Sequence, residues 1–160
     1  MSNFTDVRNA IKAKIESVAD VGTIQPRERF SKNNKELKAF YTTEIGDTGE
    51  YKLIGGFLRR VTYAGQSAND IYFTRKQAWE FHYLLGWDDE NNSEEEFNEK
   101  IDAIAEAFET DTTLGNVTAT VSSDGTPPLD LVQSGPAMFG GVLVHYAVMK
   151  INTVFLYDGT

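Results

Sequence analysis

Apolar residues recur at Val7, Ile11, Ile15 and Val18, a spacing that lines up one face of a helix over residues 5–19. Thr5 suits its N-cap, and Gly22 lies just past its end. Residues 21–25 read as a short extended segment stopped by Pro26. A second short helix is predicted from Ser31, which caps it, with Leu37, Phe40 and Tyr41 as its apolar edge. Residues 44–50 hold Gly46 and Gly49 and read as a turn, and residues 51–63 read as a strand. The pair Gly55–Gly56 marks a bulge or a close backbone approach in that strand. Residues 64–69 are polar and predict a loop. The clearest alternation follows: Trp79, Phe81, Tyr83, Leu85 and Trp87 on one face, Glu80, His82, Leu84 and Gly86 on the other. A helix then begins at Ser93, whose spacing to Glu96 is that of a capping box, with Phe97, Ile101, Ile104, Ala105 and Phe108 as its buried stripe. Residues 117–121 alternate weakly, as a strand would. Residues 122–128 and 134–141 are rich in turn formers, and residues 142–157 read as a long strand bulged near Lys150.

This order of elements predicts a single α+β domain over residues 1–160: a mainly antiparallel β-sheet with two or three helices packed on one face. Apolar side chains make up 41% of the 160 residues and aromatics 12%, enough for a core without a metal or disulfide staple. There is no cysteine, which excludes disulfides, thiolate catalysis, zinc–cysteine sites and iron–sulfur clusters. No basic stretch followed by an apolar run opens the chain, so no signal peptide is expected. No run of about 20 apolar residues predicts a membrane span.

Charge is unevenly spread. Net charge is −9, yet residues 1–80 carry +3, residues 81–111 carry −10 and residues 112–160 carry −2. A basic run (Arg27, Arg29, Lys32, Lys35, Lys38) thus precedes an acidic helix that starts with Glu94, Glu95 and Glu96. Unlike patches on one chain suit head-to-tail association of identical copies. An acidic helix is also, more simply, a solvated face. The negative total makes specific nucleic-acid recognition the weaker reading of the basic run.

Catalytic motifs are sparse. His82 and His145 are the two histidines, each in a predicted strand, with neither H-x-H nor H-E-x-x-H spacing for a metal. No G-x-S-x-G elbow supports a Ser/His/Asp triad. Asp88, Asp89, Glu90 and Glu94 to Glu96 lack the D-x-D-x-D-G pattern of a calcium loop. Gly55–Gly56 with Arg59–Arg60 lacks the phosphate-loop spacing. No catalytic residue, metal ligand or cofactor is expected on these grounds. A small hydrolase or ligand-binding domain using His82 or His145 with nearby carboxylates stays open as the reading from another class.

Several stretches, taken in order, carry a resemblance. They are Val21-Gly22-Thr23-Ile24 with Arg27-Glu28-Arg29-Phe30; Gly55-Gly56-Phe57 with Arg59-Arg60-Val61-Thr62; Phe81-His82-Tyr83; Ser93-Glu94-Glu95-Glu96-Phe97; Asp111-Thr112-Thr113-Leu114-Gly115; and Val142-Leu143-Val144-His145-Tyr146-Ala147. Together they resemble the tail-terminator and minor tail (neck) proteins of long-tailed bacteriophages and prophages, over residues 5–157. The resemblance implies a helix-decorated antiparallel sheet and a structural, non-enzymatic virion protein. It implies assembly with itself into a ring, a hexamer, with the tail tube protein and the head–tail connector as partners. It places the protein in the tail or neck of the virion, made in the bacterial host cytoplasm, with no cofactor and no membrane. The basic run and Glu94, Glu95 and Glu96 are then candidates for subunit contacts, or, for the acidic helix, the ring lumen. Another neck or tail-completion component is the nearest alternative.

Overall fold

The strand with the clearest alternation lies at the centre of the sheet. A computed structural model of the chain describes residues 3–67, 73–114 and 127–157. Among these, the order is α1 (Asn3–Glu16), β1 (Thr23–Gln25), α2 (Asn34–Ala39), β2 (Thr42–Glu44), β3 (Tyr51–Ser67), β4 (Phe73–Gly86), a 3-10 turn (Asp89–Asn91), α3 (Ser93–Thr110), β5 (Leu129–Phe139) and β6 (Val142–Tyr157). The fold is α+β. The sheet runs β1-β3-β4-β6-β5, with β2 pairing the start of β3; among the described strands only the β1–β3 pair is parallel.

Register decides what each face buries. Ile54, Leu58, Trp79, Phe81, Tyr83, Leu85, Ala147, Met149 and Ile151 share one face by their cross-strand pairing. Val7, Ile11 and Ile15 of α1 and Phe97, Ile101, Ile104 and Phe108 of α3 pack onto it and form the main core. The helical stripes predicted from 3.6-residue spacing are therefore the buried ones. Phe57, Leu84 and Val144 point the other way. They meet Tyr41, with Leu37 of α2 and Phe40 beside it, in a smaller core. Two helices thus share one face and the short α2 lies on the other.

Several local expectations are corrected. α1 begins at Asn3, so Thr5 is inside the helix and does not cap it. α2 is capped by Asn33, whose side chain accepts from the backbone of Lys35 and Glu36; the Ser31 hydroxyl instead accepts from Asn33 and meets Glu36. β2 was not predicted, and β3 continues through residues 64–67, expected to be loop. Gly55–Gly56 keeps regular register and is a close approach, while the irregularity falls between Arg60 and Thr62. A Cβ on Gly56 would sit 2.2 Å from the His82 carbonyl oxygen and 2.6 Å from the Phe81 ring. β6 pairs with β4 without a break; the shift near it lies in β5, between Leu131 and Gln133. The apolar positions of β6 change face because both faces are covered.

The stretch 134–141, read as turn-rich, is mostly strand. Ser134, Gly135 and Pro136 lie in β5, an edge strand of the sheet, where a proline need donate no ladder hydrogen bond. Only Gly140 and Gly141 turn. Both have positive φ (57° and 82°), the two-residue hairpin geometry that matches strand twist. The strand predicted over 117–121 and most of the loop at 122–128 lie outside the described residues.

Candidate functional site

His145 and His82 lie on opposite faces of the sheet. His145 pairs with Leu85 and so faces α3. Its ring is stacked against Trp87 (centroids 3.9 Å apart) and faces Phe97 at 5.5 Å. Its Nε2 lies 2.7 Å from the hydroxyl of Ser93, which also accepts the Asp88 backbone N–H at 2.8 Å. The expected capping box is therefore absent: Ser93 is the first helical residue, Asn92 precedes it at φ 54°, and Ser93 turns its hydroxyl inward. Glu96 does not reach back to close a box either; it is ion-paired to Lys52 of β3.

A serine hydroxyl against an imidazole nitrogen is the start of a nucleophile–base pair. Here it is sealed, with Ser93 3% and His145 5% exposed. The arrangement tethers β6 to the start of α3 across the core. Burial pushes the His145 pKa down, partly offset by the negative charge of Glu94. The unfolded chain therefore takes up this proton at a higher pH than the folded one. Stability from this group is complete above the ordinary imidazole value of 6.5 and declines as pH falls below it. Unfolding free energies from urea titrations between pH 7 and 5 should fall by at most about 1.4 kcal/mol per pH unit from this site. His145→Phe should remove that part of the slope. An unchanged slope would mean that His145 is already solvated.

His82 pairs with Phe57 and Val148, on the face away from α1 and α3. Its Nδ1 lies 2.7 Å from the Tyr146 hydroxyl and its Nε2 3.0 Å from Glu80, while the Phe57 ring stacks on it at 4.6 Å. Arg59 approaches Glu80 at 3.5 Å and Glu28 at 3.9 Å. Burial, with smaller contributions from Glu28, Tyr41 and Glu80 against that of Arg59, pushes the Tyr146 pKa up to about 12, so the phenol stays a donor. Carboxylate, imidazole and phenol in line resemble a proton relay. Both ring nitrogens are nevertheless engaged by neighbours in the same sheet. Tyr146 was not singled out in the sequence, since only strand register brings it beside His82.

Clefts open at the edges of the helices. One, of about 410 Å³, lies between the loop after α1, the β2–β3 hairpin and α3; another, of about 480 Å³, lies between α2 and the start of β3. Neither is lined by a histidine. Among the described residues no group of three or more His, Asp or Glu side chains is arranged to hold a metal ion. No described helix is long and apolar enough to cross a membrane.

The predicted charged patches fall on different sides of the sheet. Arg27, Arg29 and Lys32 lie in the loop after β1, and Lys35 and Lys38 on α2. This segment is fixed to the smaller core: the Arg29 N–H donates to the Tyr41 hydroxyl and its guanidinium lies 4.1 Å from the Phe40 ring. Arg27, Lys32 and Lys35 are exposed, whereas Arg29 and Lys38 are half-buried. Glu94 and Glu95 are exposed at the start of α3 on the other face; Glu96 is withdrawn by Lys52. The acidic surface continues instead along Glu99, Asp102, Glu106 and Glu109, which with Glu95 form one exposed helical stripe. The Lys100 ammonium is turned aside to the Ala19 carbonyl. No family model matches this chain, and none of the curated proteins does.

Proposed function

We propose that this chain is a structural virion protein that forms a hexameric ring at the end of a phage tail tube, stops tail growth there and joins the tail to the head connector. One observation carries the reading: the sheet separates a basic segment, fixed on one face, from an acidic helix fixed on the other. A closed ring is built from heterologous contacts, so every subunit must offer two different, complementary surfaces. The ordered stretches similar to tail-terminator and neck proteins point the same way. The partners are then further copies of itself, the tube protein and the connector, in the tail or neck of a virion assembled in the host cytoplasm. A lumen-facing acidic helix, repelling passing DNA, is the rival use of the same stripe. Another neck position would use the same assembly chemistry.

Native mass spectrometry over a range of protein and salt concentrations tests the proposal. A hexamer, or an equilibrium towards one that weakens with salt, is expected. Reversing Glu94, Glu95 and Glu99 to lysine should weaken assembly at least about tenfold at low salt and less at high salt, since exposed charges are screened. Glu96 is left in place because its loss would also break the Lys52 ion pair. Assembly unaffected by the reversal would assign the stripe to solvent or lumen. A dimer persisting at all concentrations would overturn the ring.

A further inference from the structure

We infer that the contact between neighbouring copies seats Phe30 of one copy in the cleft between the loop after α1, α3 and the β2–β3 hairpin of the next. The inference rests on the ring reading and names its interface. Phe30 is the most exposed large apolar side chain among the described residues, at 75%. It follows the exposed Arg27 and Glu28, the latter 3.9 Å from Arg59, and precedes the exposed Lys32, in a loop held to the smaller core by the Arg29 backbone on Tyr41 and the Arg29 guanidinium on the Phe40 ring. An aromatic ring buries about 150–250 Å² when covered, so leaving it in water forfeits a large driving force.

The cleft has the complementary character. Val18, Ile54 and Ala103 give it apolar lining, and Ile45, 45% exposed, stands at its side. Asp20, Glu44, Glu96 and Glu99 face Lys52 and Lys100 around it, an excess of two negative charges. Both lysines are already engaged, Lys52 by Glu96 and Lys100 by the Ala19 carbonyl. Its volume of about 410 Å³ falls within the usual ~300–1,000 Å³ of clefts that take up an organic group. An aromatic side chain with the exposed cations of Arg27 and Lys32 near it fits this chemistry: ring on the apolar lining, cations towards Glu44 and Glu99. Phe30 belongs to the segment packed on the smaller core and the cleft to the face of α1 and α3, so the knob and its socket are separate surfaces. A contact between them leaves a free knob at one end and a free socket at the other, the condition for a ring.

The chain has no cysteine, so engineered ones report contacts without background. Lys32→Cys protein, which keeps Phe30, is mixed with Ile45→Cys protein and treated with a short bis-maleimide; Phe30→Asp is compared in native mass spectrometry. A cross-linked heterodimer in the mixture, well above either protein alone, is expected. The double variant K32C/I45C should yield a ladder of covalent oligomers. Phe30→Asp should weaken assembly at least tenfold with an unchanged melting temperature, since the side chain is exposed. Rings that form normally with Phe30→Asp and give no heterodimer would overturn this interface and leave the ring reading standing. Cross-linked chains that never close would keep the interface and overturn the ring. A wild-type protein that neither assembles nor cross-links would overturn both.

Discussion

Gly56→Ala is expected to destroy the native sheet. The added methyl would lie 2.2 Å from the His82 carbonyl oxygen and 2.6 Å from the Phe81 ring. The first neighbour is backbone in the central β3–β4 ladder, where Gly56 pairs with Tyr83, so relief means parting the strands. The second is a core ring that is fully buried. Overpacking at both costs more than about 4 kcal/mol, a large part of the ~5–15 kcal/mol that stabilises a typical domain. Urea unfolding followed by circular dichroism should show a collapsed midpoint, or the protein should be recovered insoluble. Gly65→Ala is the control: a Cβ there meets nothing within 4 Å, and its midpoint should stay close to wild type. Equal midpoints for Gly56→Ala and wild type would mean that the strands do not approach as described.

Trp79→Ala should have the next largest effect. Trp79 is fully buried at the middle of β4 and stacks on Phe4 of α1 at 5.4 Å. Emptying that space removes transfer energy and leaves a cavity, a loss of about 3–5 kcal/mol. Its indole nitrogen meets no acceptor, and an unpaired buried donor costs about 1–3 kcal/mol. Trp79→Phe removes that donor with part of the ring, so its loss should stay below about 2 kcal/mol. Similar losses for the two variants would place the stabilisation in the indole edge rather than in filled volume.

The elements read correctly from sequence are those whose periodicity comes from one dominant contact. α1 and α3 each bury a single stripe against the main core, Val7–Ile11–Ile15 and Phe97–Ile101–Ile104–Phe108, and β4 gives that core the alternating Trp79–Phe81–Tyr83–Leu85 while Leu84 alone of its described residues joins the buried smaller core. β5 was hidden because Ser134, Gly135 and Pro136 have turn chemistry, and an edge strand tolerates them. β6 was read with a bulge because it feeds the two cores more evenly, Ala147, Met149 and Ile151 in the main one and Val144 with Val142 and Tyr146 in the smaller. Ser93 had the composition of a cap, yet the buried imidazole of His145, far away in the chain, claims its hydroxyl. Composition located the charged patches, whereas the sheet that separates them, the Lys52–Glu96 pair and the Glu80–His82–Tyr146 line depend on tertiary register.

That register also bears on how the chain finds its fold. β4 is joined to β6 by an unbroken ladder whose ends pair Gly86 with Val144 and Phe73 with Tyr157. The intervening chain includes all of α3 and β5, so closing the ladder costs loop entropy before any rung repays it. β1, the parallel strand, waits on β3 in the same way. Hairpins β3–β4 and β5–β6 can form early as local units, but joining them requires a distant search. The protein therefore belongs with slow, high-contact-order folders, whose times run from milliseconds to seconds, rather than with helical bundles. Until the join is made, β4 offers the apolar face of Trp79, Phe81, Tyr83 and Leu85 to any other chain within reach, so dilute, cool conditions favour its refolding.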